Sequence, residues 1–224
     1  MSCGAKSPER RIEETMENME MEVLSGGGHI IMGNVSQAVR AQTRGGDIII
    51  GDISGRARIF TGGGHIEVGK VAGDAMLKTS GGHIVLLGGE GLVNAKTAGG
   101  HIRLEKVKGG VEAVSSGGNI TVELVPAGNG QSRLITLGGN IQLLLPETCR
   151  VTIEACVRIQ GDWETNIRKW DIRCDFQPES YERDRWKGEI RARYRLNGGG
   201  ENITLQAVNG MIEIGTLIMP SQVN

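Results

Sequence analysis

The chain contains four histidines, and all four share one register: His29, His65, His83 and His101 each follow a Gly-Gly pair. Imidazole is the side chain that titrates nearest neutral pH and the commonest metal ligand. On stacked strands, His65, His83 and His101 would stand about 4.8 Å apart along a line. Two neighbours could then share a Zn²⁺ or Cu²⁺ at about 2.0–2.1 Å. A row cannot supply a closed tetrahedral set, so such a site would be open and weak. Asp47, Asn119 and Asn140 occupy the same position in other Gly-Gly segments. Short polar side chains there can bond the backbone of a turn. The sequence therefore predicts a structural, solvent-facing turn ladder first, with metal binding by His65, His83 and His101 as the alternative.

What would align these residues is a repeat. Gly-Gly pairs fall at 27–28, 45–46, 63–64, 81–82, 99–100 and 117–118, each step being 18 residues. A seventh pair at 138–139 follows a 21-residue step, and the segment Pro126–Gln131 accommodates the extra length. An isoleucine stands two residues after each pair: Ile30, Ile48, Ile66, Ile84, Ile102, Ile120 and Ile141. Two positions further on come Met32, Ile50, Val68, Leu86, Leu104, Val122 and Leu143. This alternation marks a strand with one buried face. A second alternating strand follows in each repeat, as in Ala57-Ile59-Thr61 and Ala75-Leu77-Thr79. Between the strands runs another register of glycines, Gly55, Gly73, Gly91 and Gly109.

Two strands and two turns close a coil, and coils stack by strand pairing. The predicted fold is all-β: a single-stack parallel β-solenoid of about seven 18-residue coils. A left-handed hexapeptide helix also has 18 residues per coil, but would show an apolar residue every six positions. The glycines are read as corner residues that need φ > 0 or no Cβ, and the Thr rungs as small residues where the sheets approach closely.

The ends break the period. Ser7-Pro8-Glu9 reads as a helix start, and Ile12, Met16 and Met19 recur at helical spacing, so a short helical cap is expected near 8–18 and a strand near 19–25. All three tryptophans and both tyrosines lie beyond Pro146. An irregular, aromatic-rich C-terminal cap is expected there. Val151 to Ile159 should form a longer strand, 177–188 a charged, turn-rich stretch, and Asn209-Gly210-Met211-Ile212-Glu213-Ile214 an echo of the repeat. The expected organisation is 1–24 as N-terminal segment and cap, 25–145 as regular coils, 146–215 as irregular coils closing the same stack, and 216–224 as a tail.

Composition narrows function. With 25 basic and 26 acidic residues, a basic nucleic-acid surface is not expected. No stretch approaches the roughly 18 apolar residues of a membrane span. No hydrophobic segment follows Met1, so the sequence as written shows no signal peptide and reads as cytoplasmic. Cys3, Cys149, Cys156 and Cys174 form no CxxC pair; free thiols or one structural disulfide both fit. Strand parity turns Cys149 inward and Cys156 outward, and Cys174 is expected to be buried with Ile172 and Phe176. Acidic residues scatter, no GxSxG occurs, and the Gly-Gly runs open no helix, so neither an enzyme nor a cofactor site is expected.

The tandem pattern GGHIxV…VxGxAxxxT, with the ending Gly188-Glu189-Ile190-Arg191 … Leu196-Asn197-Gly198-Gly199-Gly200 … Asn209–Ile214, resembles a bacterial adhesin-like family of unknown function, the toastrack domains. The resemblance covers about residues 20–215. It implies a parallel β-solenoid, often exported or fused to membrane segments, with roles in envelope sensing or adhesion, and it brings no catalytic residues. Family members commonly carry Asp or Asn after the Gly pair, where this chain mostly has His. The expected function is a non-catalytic scaffold or interaction module with a protein or envelope partner. The alternatives are a metal- or pH-responsive binder using the His ladder, or a self-assembling, bactofilin-like solenoid.

Overall fold

The computed structural model describes residues 20–217 except Asn129 and Arg168. The helix expected over 8–18 and Cys3 lie outside these residues. Each coil contributes one strand to each of two sheets. In chain order these are β1 (Glu20–Ser25) and β2 (Ile30–Met32), β3 (Ala38–Thr43) and β4 (Ile48–Ile50), β5 (Ala57–Thr61) and β6 (Ile66–Val71), β7 (Ala75–Thr79) and β8 (Ile84–Gly89). The series continues with β9 (Val93–Thr97) and β10 (Ile102–Lys108), β11 (Val111–Ser115) and β12 (Ile120–Val125), β13 (Gln131–Thr136) and β14 (Ile141–Leu145). All pairings through this region are parallel, and the chain is an all-β parallel solenoid of about seven turns.

Alternation decides which residues face inward. In β6 to β8, Ile66, Val68, Ile84 and Leu86 are fully buried, while the residues between them face out. Parallel register then aligns like with like, Ile66 on Ile84 and Ile84 on Ile102. Each coil adds one thin apolar layer, so neighbouring coils complete each other's core.

The C-terminal part departs from a simple continuation. It comprises β15 (Val151–Arg158), a single helical turn α1 (Trp163–Asn166), β16 (Ile172–Cys174), β17 (Ser180–Asp184), β18 (Glu189–Leu196), β19 (Glu201–Val208) and β20 (Ile212–Thr216). The eleven-stranded sheet runs β1-β3-β5-β7-β9-β11-β13-β19-β15-β18-β17, and the nine-stranded sheet runs β16-β20-β14-β12-β10-β8-β6-β4-β2. The last coil, β19 with β20, therefore inserts between the β13–β14 coil and the β15–β16 coil. Register holds across the insertion: Ile141 pairs with Ile212, and Ile212 with Ile172. One isoleucine rung thus runs through all nine strands of the second sheet.

One expectation holds in part and another needs correction. Residues 177–188 include the expected turn, at 185–188, but also hold an edge strand, β17, which pairs antiparallel with β18. Its side chains are mostly exposed and show no alternation, so the period-2 signal of a half-buried strand was never there to be read. Nor do the aromatic residues gather into one plug. Trp163, Trp170 and Phe176 are partly buried against the core and Tyr194 is buried, but Trp186 is 98% exposed.

The Thr rungs do more than fill a narrow space. Thr79 Oγ1 donates to Gly64 O at 2.8 Å and accepts from Gly82 N–H at 3.2 Å. Thr61, Thr97 and Ser115 make the same two bonds one coil apart. The hydroxyl joins its own coil's corner to the corner of the preceding coil. Thr79→Val keeps the volume but strands two buried backbone groups. It should cost about 1–3 kcal/mol in a chemical-denaturation curve, and an unchanged midpoint would remove the bonds from the account.

Candidate functional site

The four histidines stand at the corner that joins the first sheet to the second. Two features of the corner place them. The second glycine of each pair lets adjacent corners touch: a Cβ on Gly64, Gly82 or Gly100 would overlap the carbonyl group of the glycine one coil before. None of these three has a positive φ, so close approach, rather than backbone handedness, demands glycine here. Left-handed backbone does occur in the opposite register, at Gly109 with φ 119°.

The residue after the pair then bonds the next coil. Nδ1 of His65 accepts from His83 N–H at 2.9 Å, Nδ1 of His83 from His101 N–H at 2.8 Å, and Nδ1 of His101 from Asn119 N–H at 2.9 Å. His29, Asp47, Asn119 and Asn140 do the same for Asp47, His65, Asn140 and Met211. His, Asp and Asn share the position because each carries an acceptor atom one bond beyond Cγ. The imidazoles of His65, His83 and His101 stack face to face, with centroids 4.8 and 4.9 Å apart.

This geometry sets the chemistry. A neutral imidazole has one donor and one acceptor nitrogen. Nδ1 is the acceptor in each of the three rings, so Nε2 carries the hydrogen. A metal at the column would have to displace a backbone N–H from Nδ1 or a proton from Nε2. Among the described residues, no three of His, Cys, Asp and Glu converge as a metal centre requires. His83 has its pKa lowered below the usual histidine value, chiefly by burial in the stack and then by His101 and His65.

No protein-family model matches the chain, and neither a curated protein nor a solved structure does.

A second acceptor ladder, unforeseen from the sequence, stands at the opposite corner. Asn34 Oδ1 accepts from Asp52 N–H, Asp52 Oδ1 from Lys70 N–H, and Asp74 Oδ1 from Leu92 N–H. Asn34 and Asp52 are 18 residues apart, so the period could have shown the first pair. Asp74 stands outside that spacing and needed the structure.

Another feature follows only from the fold. Strands β13, β19, β15, β18 and β17 line a half-open cleft of about 530 Å³ on the outer side of the first sheet. At its edge Glu189, 5% exposed, holds Arg158 with one carboxylate oxygen at 2.8 Å and Arg191 with the other at 2.6 Å. The Arg158 hydrogen bond, followed by that of Arg191, keeps the Glu189 pKa below the usual carboxylate value. Cys156 lines the same cleft, and burial, then Glu189, raise its pKa. Its thiol is thereby held protonated, the opposite of an activated nucleophile.

The cysteines correct a parity argument. Cys149, Cys156 and Cys174 are free thiols and all three are half-buried. Cys149 and Cys174 pack against the core without being enclosed by it, because Cys149 precedes β15 and Cys174 ends a three-residue strand. Burial pushes the Cys174 pKa up to about 11. At pH 8, native labelling should therefore modify Cys174 last; its modification ahead of Cys149 and Cys156 would contradict this environment.

Proposed function

We propose that this chain is a non-catalytic β-solenoid scaffold whose outer faces serve interaction, with an adhesin-like, envelope-associated role of the kind the toastrack resemblance implies. The observation that carries this reading is the use made of the polar corner residues. His29 through Asn140 at one corner, and Asn34, Asp52 and Asp74 at the other, each accept a backbone N–H from the next coil. Side chains of the types that do chemistry are thus employed in holding coil to coil.

No helix among the described residues is long and apolar enough to cross a membrane. The test is affinity capture by the immobilised full chain from separated envelope and soluble fractions, with free chain as competitor. Retention of an envelope component that the free chain displaces is expected; no competable retention from either fraction overturns the reading.

Self-assembly draws on a different observation. At one end of the stack β1 and β2 each pair with a single strand among those described, and such edges can template further pairing. Sedimentation velocity over a range of concentrations separates the two readings: one concentration-independent species favours the scaffold, and growing species favour assembly.

A further inference from the structure

We propose that the His65–His83–His101 column is an acid-released clasp, which joins three consecutive corners when its rings are neutral and lets go of them when they are protonated. The proposal rests on which atom holds which. Each Nδ1 accepts the amide N–H of the equivalent residue in the next coil, at 2.8–2.9 Å. An imidazolium carries hydrogen on both nitrogens and accepts from nothing. Protonation therefore sets an N–H against an N–H. The ring must turn away, leaving the amide to water.

Stacking adds to the effect. His65 and His83 are inclined by 14° and His83 and His101 by 3°, so charging neighbours places two cations face to face. Charged residues on the surrounding elements are Asp47 in the preceding coil, Glu67 and Lys70 on β6, Lys78 on β7, Lys96 on β9, and Arg103, Glu105, Lys106 and Lys108 on β10. Of these, Arg103 is paired with Glu105 and Lys96 with Glu112. Asp47 lies 3.3 Å from His29 Nδ1 and also accepts His65 N–H. Asn119 and Asn140, further along the column, carry no charge. His83, in the middle, has an imidazole on either side.

The sign follows from His83. Its folded pKa lies below 6.5, lowered by burial and then by His101 and His65, whereas the unfolded chain takes up the proton near 6.5. Stability is fully present above about 6.5, is lost as pH falls through that value, and levels off below the folded pKa.

Release is local. The inner bonds of the same corners run from Ile66 N–H to His83 O, Ile84 N–H to His101 O and Ile102 N–H to Asn119 O, each at 2.9 Å. Proton uptake by imidazole does not touch them. The coils stay paired while the outer face of the corner opens.

The chain contains its own controls. Asn34, Asn119 and Asn140 accept the N–H groups of Asp52, Asn140 and Met211, and an amide side chain does not titrate. Amide hydrogen exchange of the full chain, read residue by residue at pH 7.5 and pH 5 and corrected for intrinsic rates, tests the clasp. Protection of His83, His101 and Asn119 should fall about fivefold in acid, as expected for one hydrogen bond, while that of Asp52, Asn140 and Met211 stays level. In the triple variant His65→Asn, His83→Asn and His101→Asn the acid loss should vanish, because Asn supplies the same acceptor. Equal changes in both sets of amides, or an acid loss that persists in the triple variant, overturns the proposal.

Discussion

Ile84→Asp should destabilise the chain by on the order of 5 kcal/mol, enough to bring a domain of ordinary stability close to unfolding. Ile84 is fully buried and aligned with Ile66 and Ile102 on the coils to either side. The rung is closed to solvent and lined by isoleucines, so the carboxylate must lose its hydration without a partner. A solenoid cannot hide the defect in a corner of a large core, because each layer is completed by the coil above and the coil below. His65→Asn, in the neighbouring repeat, should change stability by no more than about 0.5 kcal/mol. Asn Oδ1 can accept His83 N–H just as Asn119 accepts Asn140 N–H. Thermal and chemical melts of both variants check the pair. Similar losses for the two would mean that the inward and outward registers are wrongly assigned.

Gly82→Ala should cost about 3 kcal/mol, at the upper end of what overpacking produces, whereas Gly81→Ala should be almost silent. The two glycines are neighbours and look equivalent in the sequence. A Cβ on Gly82 would lie inside the carbonyl group of Gly64, and a Cβ on Gly81 would have its nearest neighbour at 3.6 Å. The obstruction at Gly82 is backbone, held by Thr79 Oγ1 on Gly64 O and by the pairing of the strands on either side. It cannot move aside as a flexible side chain would. Denaturation midpoints for the two alanine variants give the comparison. Equal midpoints would show that the corners are further apart than described.

Local pattern made part of the site legible. The 18-residue step placed His65, His83 and His101 one above another, and strand spacing placed their rings about 4.8 Å apart, which the stack reproduces at 4.8 and 4.9 Å. Which amide each ring bonds was not legible. Nothing in a list of residue types tells whether Nδ1 points at solvent or at the amide of the next coil, since that depends on the turn's backbone path. The role of the Thr rungs was hidden for the same reason: smallness and a hydroxyl suit the same position, and only the bonds to the Gly carbonyl and N–H separate the two explanations. The corner glycines were expected to serve handedness or closeness, and the structure selects closeness at Gly82.

By itself the sequence determined the coil: its length, its two strands and the residues that face inward. These are short-range consequences of alternation and of a strict period, and every copy of the repeat restates them. It also determined that 209–214 would join the isoleucine rung, because Ile212 and Ile214 carry the same alternation as Ile141 and Leu143. Only the tertiary structure decided where that coil goes. Residues 201–216 leave chain order and pair between β13–β14 and β15–β16, with β18 and β17 turned antiparallel at the edge beyond. Any coil of matching register can stack on any other, so register alone does not choose the order. The choice falls to long-range pairing: β15 binds β19 on one side and β18 on the other. The cleft around Cys156 and Glu189 exists only because strands distant in sequence meet there.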